Sequence, residues 1–476
     1  MNGLVKKFFE FAIGNGIVII LGIVTTFIGT RLIQPLESGK TDTFISYSGL
    51  IVLLVTMGID QAFIRYYNDE KEENRGSLLR KSLVYPVGLS ILIILVCLLL
   101  YKTMSMILVK EENLFISVMF GINILISVIN NFALINIRMK QQAKLYSLVS
   151  ASNKIGYVAA LLGFYGIFGD NYRTLIYTIV GANLIMLIFA LIVGRKEWFG
   201  RGNKAQTQTK TLRKYGMPFI FSMGLTWIFQ SAAILSMNLL IKNSNEAAYQ
   251  VGVYGGAMKI VAILNTIQGV FTTFWIPIAY ERYAKAPEDT KFFSKISEIV
   301  SFFMLCFAAG LMLLKDVVIN FLGRGYVDAK FIFPFLVMMP IMYTISETTF
   351  LGINFKKQTK KHITISGIAA AFNVIGNIIL VPYLGARGAA ISTGLAYIVF
   401  FAVRTYYGNK YYKIDIKYSR FIPSLLAVYG YAILSSIYSY NNIILVTGLL
   451  TFAILFISYR ELISQIIKMA ISKIKK

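Results

Sequence analysis

The sequence contains few of the residues from which catalytic and metal sites are usually built. It has one histidine, His362, and two cysteines, Cys97 and Cys306, both within apolar runs that favour a packing role over a disulfide or a ligand. It also lacks C-x-x-C, H-E-x-x-H and G-x-x-x-x-G-K-[ST] patterns, the signatures of zinc sites and P-loops. We therefore predict that the chain is not an enzyme, has no cofactor or metal, and has no ATPase of its own.

Charged residues are scarce as well. They make up 14% of the chain, against roughly a quarter in a typical soluble domain, whereas hydrophobic residues make up 57%. Apolar stretches such as 83–101 and 174–193 are long enough to cross a hydrocarbon core of about 30 Å as helices. Since a helix satisfies its own backbone hydrogen bonds in lipid, the composition predicts an all-α polytopic membrane protein.

Apolar runs separated by charged breaks predict about fourteen transmembrane helices. The first run follows Lys6 and Lys7, but it is too long for a signal peptide and lacks a cleavage site, so we expect a retained helix. The predicted helices lie at 11–33, 43–67, 83–101, 113–137, 146–167, 174–193, 214–241, 251–280, 292–314, 329–352, 362–381, 387–407, 421–439 and 441–459.

The basic residues divide unevenly between alternate loops. One set, which includes both chain ends, holds about three times as many Lys and Arg as the other, as expected of cytoplasmic loops. We therefore predict a protein of the cytoplasmic (inner) membrane with both termini in the cytoplasm. Arg404 is counted in the cytoplasmic set, and Lys40 and Lys315 in the outer one. The basic set comprises 68–82, 138–145, 194–214, 281–295, 353–361 and 404–420.

The net charge of +25 then lies mostly beside anionic headgroups, so membrane lipid is the expected partner and nucleic acid is not. The last segment places its isoleucines on one helical face and its lysines largely off it, which predicts an interfacial amphipathic helix. The resulting organisation is an N-lobe at 1–193, a cytoplasmic linker at 194–213, a C-lobe at 214–407, two further helices at 421–459 and a basic tail at 460–476.

Two sets of residues suggest a family. A weak internal repeat aligns Ala62, Arg65 and Tyr66 with Ala279, Arg282 and Tyr283, consistent with duplicated six-helix units. Longer stretches, in order and spacing, resemble the polysaccharide flippases of the multidrug/oligosaccharidyl-lipid/polysaccharide exporter superfamily over nearly the whole chain. They are RLIQPLESGKTDTFISYSGLIVLLVTMGIDQAFIRYYND at 31–69, INIRMKQQAKLYS at 135–147, LRKYGMPFIFSMGLTWI at 212–228, VGVYGGAMKIVAIL at 251–264, FTTFWIPIAYERY at 271–283 and FLGRGYVDAKFIFPFLV at 321–337.

The resemblance implies two six-helix lobes around a central cavity, with two C-terminal helices beside them. It implies a flippase that exports an undecaprenyl-diphosphate-linked oligosaccharide by alternating access, for capsule, O-antigen or exopolysaccharide synthesis. A polymerase of the same pathway is a candidate partner. The alternatives are a cation-coupled multidrug exporter of the same fold, a lipid II flippase, or an envelope scaffold or polymerase, which would be expected to have a large outer loop.

Three basic residues fall inside the predicted helices: Lys259, Lys154 and Arg65. A charge at the centre of a membrane helix costs about 2.5–3.5 kcal/mol, so it usually faces a polar cavity or a partner. All three are candidates for binding the substrate diphosphate, and in the resemblance Lys259 matches a cationic cavity residue of lipid II flippases. The alternative is an interhelical pair for Lys259, and snorkelling or interfacial anchoring for Lys154 and Arg65.

Asp60 and Glu347 are the acids that we place inside helices. Each could bind a coupling proton or sodium ion, or could pair with a basic residue. Because Asp60 precedes Arg65 by five positions, it does not have the i,i+4 spacing of a helical ion pair, and we expect its partner on another helix.

Overall fold

The computed structural model describes Gly16 and residues 19–200, 204–358 and 360–474. Helices dominate these residues, and none of them forms a strand, so the predicted all-α class is confirmed. Lys6 and Lys7, most of the first half of the first predicted helix, and the last two residues of the basic tail lie outside the described residues.

The helices divide into two compact units. Unit 1 runs to Asn238 and includes Lys242–Gly252, and unit 2 comprises Leu239–Ile241 and the chain from Val253. The predicted lobe boundaries, at 193 and 214, stay a prediction.

Unit 1 contains ten helices in the described part of the chain, together with the first turns of the long helix α11. Asparagines begin two of them, because the Asn113 and Asn171 side chains accept hydrogen bonds from first-turn N–H groups of α6 and α8. The helices are α1 Ile19–Leu32, α2 Pro35–Thr56, α3 Ile59–Tyr66, α4 Arg75–Leu99, α5 Tyr101–Val109, α6 Leu114–Met139, α7 Ala143–Phe168, α8 Tyr172–Val193, α9 Arg195–Phe199 and α10 Thr209–Leu240.

Unit 2 contains the rest of α11 and the helices that follow it. Asp289 caps α12 and Asn441 caps α18 in the same way as the asparagines of unit 1. The helices are α11 Ser244–Lys285, α12 Thr290–Leu313, α13 Lys315–Ile319, α14 Phe333–Thr349, α15 Leu351–Phe355, α16 Lys360–Tyr411, α17 Tyr418–Ile437, α18 Asn442–Ser458 and α19 Arg460–Ile474, with a 3₁₀ segment at Arg324–Phe331.

Two long helices are broken. The chain bends by 53° between α2 and α3, where Met57 takes a left-handed conformation with φ 54°. Within α16, Gly385 has φ 53° and ψ −132°, a combination that is open essentially to glycine alone. The predicted helices 362–381 and 387–407 thus correspond to the two parts of one interrupted helix.

The number of membrane crossings is bounded by helix length and composition. Eight helices among the described residues are long and apolar enough to cross a membrane, or up to eleven if each of three bent pairs is one span. The chain is therefore a multi-pass membrane protein, and the count of fourteen stays a prediction. In that range, α16 counts once although its 52 residues are about twice the length of one crossing.

Within unit 1, loops that the charge pattern assigns to one side lie together. Lys40 Nζ is 2.8 Å from Glu111 Oε1 and 3.5 Å from Glu37 Oε1, and Tyr172 donates a hydrogen bond to Glu111. These contacts join the starts of α2 and α8 to the turn before α6. Lys40 is buried inside α2, so its assignment to an outer loop was wrong, because α2 begins eight residues earlier than the predicted 43.

The linker between α8 and α10 contacts α4 and the loop before it, within the set of basic loops. Lys81 donates hydrogen bonds to the carbonyls of Ala205 and Thr207, while Glu70 accepts from the N–H groups of Thr207 and Gln206 at 2.7 and 3.1 Å. Burial alone would raise the pKa of Glu70, but these hydrogen bonds outweigh it and hold the pKa below its usual value. The described part of this linker is therefore fixed to unit 1.

The amphipathic tail docks on unit 2. After a 69° bend from α18, α19 buries Leu462 against Phe302 and Tyr459, with Ile463 and Ile466 packed beside them. Part of the predicted lipid-facing stripe thus contacts protein.

The contact between α2 and the start of α11 yields a stability prediction. A Cβ on Gly39 would lie 1.7 Å from the Ala248 carbonyl oxygen, so α2 could not keep its position. We expect Gly39→Ala to destabilise the protein by at least about 1–3 kcal/mol, the usual cost of overpacking.

The measurement is thermal unfolding of the detergent-purified protein. Gly88→Ala is the matched control, because a Cβ on Gly88 in α4 would meet nothing within 4 Å. Equal melting temperatures for the two variants would contradict the close approach.

Candidate functional site

The five residues singled out from the sequence divide between the units. Asp60, Arg65 and Lys154 belong to unit 1, and Lys259 and Glu347 belong to unit 2. Each unit therefore has its own candidate residues.

Lys259 lies in α11 and is half-buried. Its Nζ is 5.9 Å from the ring centroid of Tyr326, a distance compatible with a cation–π contact. Tyr326 itself is buried, and its ring lies so close to Gly256 that a Cβ there would be 2.4 Å from it. Gly256 lies one turn before Lys259 in α11 and leaves room for the Tyr326 ring. The buried ring of Tyr326 thus lies near the Lys259 ammonium group.

Glu347 forms a buried ion pair with Arg404. The Arg404 Nη2 is 2.7 Å from Glu347 Oε1, and Arg404 Nη1 donates to Ser346 Oγ at 2.6 Å. Trp275 Nε1 donates to the backbone carbonyl of Glu347 at 3.0 Å. The pairing interpretation of Glu347 therefore agrees with its geometry. Arg404 lies inside α16, so counting it as a loop residue was wrong.

Aromatic rings enclose the guanidinium group of this pair. The Arg404 Cζ is 3.7 Å from the ring centroid of Phe350, 4.9 Å from that of Tyr343 and 5.4 Å from that of Phe400. Arg404 Nε is buried and has no hydrogen-bond partner among the described residues. Removing one member of such a pair leaves an uncompensated charge, at a cost of about 3–5 kcal/mol. The pair is thus a structural centre of unit 2.

Asp60 is buried with 4% of its surface exposed, in the first turn of α3 immediately after the bend. Its Oδ2 accepts a hydrogen bond from Gln61 Nε2 at 2.8 Å, while Oδ1 is buried and lacks a partner in the described part of the chain. The basic partner expected on another helix is not found among those residues. The first-turn position favours a negative charge, because the N–H groups there point toward it.

Arg65 lies at the surface, with 54% of its side chain exposed. It pairs with Asp69 at 2.8 Å and lies over the ring of Tyr66 at 5.6 Å, so Asp60 is not its partner. This arrangement is typical of an interfacial anchor, the alternative that the sequence left open.

Lys154 is half-buried in α7, and no carboxylate among the described residues lies within 4 Å of its ammonium group. Beside it begins a chain of amides that crosses four helices. Asn153 donates to Asn183 at 2.9 Å, Asn183 donates to Asn123 at 3.0 Å, and Asn123 donates to Ser48 at 3.3 Å. Because these amides form hydrogen bonds between helices, helix packing accounts for their presence in the apolar segments.

Charged residues inside helices are more numerous than the sequence indicated. Besides Lys40 and Arg404, Glu298 in α12 is buried and contacts Arg420 at 2.5 Å, with Lys417 and Lys295 at 3.6 Å. The statement that Asp60 and Glu347 are the acids inside helices was therefore wrong. Context could have identified Arg404, since it follows FFAV and precedes TYY, with no other charge nearby.

Comparison with known proteins identifies a family for the sequence and a fold for the structure. A family model described as "Polysaccharide biosynthesis protein" matches residues 4–281. Among solved structures, "Lipid II flippase MurJ, inward closed conformation" is 15% identical with a TM-score of 0.69, covering 95% of this chain and 99% of its own. An inward-facing multidrug resistance MATE family transporter of the MOP superfamily is 18% identical with a TM-score of 0.59, covering 82% of this chain and 94% of its own.

No curated protein sequence matches this chain. At these identities the structural likeness shows the fold, and that fold is shared by MurJ and MATE transporters. The family follows from the model, which spans more than half of the sequence. The chain therefore belongs to the polysaccharide biosynthesis protein family.

Proposed function

We propose that this protein is a flippase that exports an undecaprenyl-diphosphate-linked oligosaccharide repeat unit across the cytoplasmic membrane by alternating access. Three lines support the proposal: membership of a polysaccharide biosynthesis family, a fold shared with a lipid II flippase, and the charge of the helices. The cargo stays attached to its lipid, so no covalent step is needed. The repeat unit would serve capsule, O-antigen or exopolysaccharide synthesis, and a polymerase of the same pathway would receive it.

The observation that carries the proposal is the positive charge within the helices. Lys154 and Lys259 are half-buried cations, and the buried acid Glu347 is paired with Arg404. A diphosphate brings roughly two negative charges, which are stabilised most strongly by cations in a partly desolvated site. We assign diphosphate binding first to Lys259, then to Lys154, and an anchoring role to Arg65.

A cation-coupled drug exporter of the same fold is the main rival, because MATE transporters share this fold. A site for cationic drugs needs acids that are not already neutralised, and in unit 2 Glu347 does not meet that condition. A lipid II flippase differs only in the sugar of its cargo. Export assays that compare lipid II with an undecaprenyl-diphosphate-linked repeat unit distinguish a lipid II flippase from the flippase proposed here.

Asp60 is our candidate for a coupling proton or ion. Its buried Oδ1 has no partner in the described residues, whereas the carboxylate of Glu347 is paired with Arg404 through Oε1. If Asp60 does not couple, the membrane potential acting on the anionic cargo is the simpler driving force, at about 2.3 kcal/mol per charge per 100 mV.

Lys259 provides the first test of the proposed function. We expect Lys259→Arg to keep part of the export activity and Lys259→Gln to lose roughly tenfold or more, because a charge that acts on the translocated group is removed. The measurement is loss of cytoplasm-facing lipid-linked sugar in inverted vesicles, divided by the amount of folded protein.

Lys242→Gln is the matched control, since Lys242 is exposed between α10 and α11 and its loss removes the same charge elsewhere. Normal export by Lys259→Gln would rule out the diphosphate role. A fall in abundance that explains the whole loss would instead indicate a structural pair.

The two buried acids should respond differently to neutralisation. We expect Asp60→Asn to abolish export while substrate binding and abundance remain, because only the coupling group is lost. Glu347→Gln should lower the abundance of folded protein, since it leaves Arg404 buried without its counter-ion, and adding Arg404→Gln should restore part of it.

Asp69→Asn is the control for Asp60, because Asp69 is an exposed carboxylate paired with Arg65. Normal export per folded molecule by both Asp60→Asn and Glu347→Gln would show that neither acid couples transport.

The orientation of the chain can be tested at the linker. We expect a cysteine at Lys204, an exposed position, to react with an impermeant thiol reagent only after the membrane is opened, because the basic loops should be cytoplasmic. Labelling is measured in a background without Cys97 and Cys306. Reaction in intact cells would contradict cytoplasmic termini.

A further inference from the structure

A group of cations surrounds one aromatic ring at the end of unit 2 where α13, the 3₁₀ segment Arg324–Phe331 and the break in α16 meet. The ring centroid of Phe331 is 4.2 Å from Arg387 Cζ, 5.2 Å from Lys330 Nζ and 5.5 Å from Lys315 Nζ. We refer to Lys315, Lys330 and Arg387 as the Phe331 cation cluster. The charge pattern of the sequence counts Lys315 in the outer loops and assigns it no function.

One of these cations already has a structural role. Lys315 is fully buried and donates hydrogen bonds to the carbonyls of Ser435 and Tyr438, the last of them at 2.6 Å, so it caps the end of α17. Burial lowers the pKa of Lys315 to about 8; Asp316 opposes this shift, while Lys330 and Arg387 add to it by repulsion. All three cations lie within 5.5 Å of the same ring centroid, so they are close to one another.

Asp316 is the acid that forms an ion pair with a member of the cluster. Asp316 lies 3.6 Å from Lys330 through its Oδ1, and its Oδ2 is buried without a hydrogen-bond partner among the described residues. No carboxylate in the described part of the chain pairs with Arg387. Asp316 thus pairs with Lys330 through one oxygen, and an anion added beside Arg387 would lower the electrostatic energy of the cluster.

The surroundings indicate what kind of anion would reach it. Arg387 is exposed, whereas Lys330 is mostly covered, so the cluster opens on the side of the guanidinium group. Exposed apolar side chains lie on the same segments: Val317 on α13, Phe321 after it and Val327 on the 3₁₀ segment. Apolar side chains next to cations at the end of a helix bundle are suited to the level of lipid headgroups.

We propose that the Phe331 cation cluster binds the phosphate group of a membrane lipid, with Arg387 as the main ligand and Lys330 as the second. The planar guanidinium group offers two parallel donors to a phosphate, and the Phe331 ring holds it in place. The lipid lies in the leaflet that this end of unit 2 faces. The proposal does not depend on the proposed function, because a phospholipid headgroup and a polyprenyl phosphate present the same chemistry.

The test uses the full-length protein purified in a neutral detergent and titrated with defined lipids. The probes are phosphatidylglycerol, phosphatidylcholine as a zwitterionic phosphate lipid, and undecaprenyl phosphate, with bound lipid counted by native mass spectrometry. We expect an anionic phosphate lipid to bind wild-type protein more tightly than phosphatidylcholine. Arg387→Gln should weaken that binding by roughly tenfold, because a charge-assisted, bidentate contact is lost.

Arg324→Gln is the matched control, since Arg324 is an exposed arginine on the same 3₁₀ segment. Arg387→Lys should bind with intermediate affinity, which also shows that the site tolerates substitution. Binding of phosphatidylglycerol that depends on Arg387 identifies a phospholipid site, and binding of undecaprenyl phosphate alone with that dependence identifies a lipid-carrier site. Equal binding of all three lipids, full binding by Arg387→Gln, or an equal loss in Arg324→Gln would overturn the proposal.

Discussion

The cost of placing charge within membrane helices governs much of this structure. Each deeply buried cation has a different counterpart: Lys40 has two glutamates, Arg404 has Glu347 and a set of aromatic rings, and Lys315 has the carbonyls that end α17. Of these ion pairs and hydrogen bonds, the Glu37–Lys40 pair joins residues that are close in sequence, three positions apart on α2. The rest join separate helices, so the charges also define how the helices pack.

Against that background, the charges without such a counterpart are the informative ones. Asp60 has one buried oxygen unpaired, and Lys154 has no carboxylate nearby, in each case within the described residues. Polar groups in membrane helices are retained where they serve a polar cavity, an ion or a cargo, because an unused one only destabilises the protein. This contrast is the physical basis for assigning Glu347 to structure and Asp60 to transport in our proposal.

Close packing and broken helices make up the other half of the architecture. Gly39 allows α2 to touch the backbone at Ala248, and the bend at Met57 directs α3 away from α2 just before Asp60. Interrupted helices are common where membrane proteins need exposed backbone groups, provided these groups are covered by protein or face a cavity. Here one break places a buried acid at the start of a new helix, and the break in α16 precedes Arg387 by two residues.

Long apolar runs were enough to predict the all-α membrane class, because only a helix satisfies its backbone in lipid over such a length. The order of motifs also predicted the family, and the charge pattern predicted an orientation that stays a prediction. The sequence could not reveal that Arg404 belongs to Glu347 or that Lys315 caps α17, because partners separated by 57 or 123 residues meet only when helices pack. Because the start of α2 was predicted eight residues too late, the buried Lys40 was assigned to a loop. The hydrophobicity of a segment follows directly from its own residues. The pairing of buried charges depends instead on distances between segments, which only the tertiary structure decides.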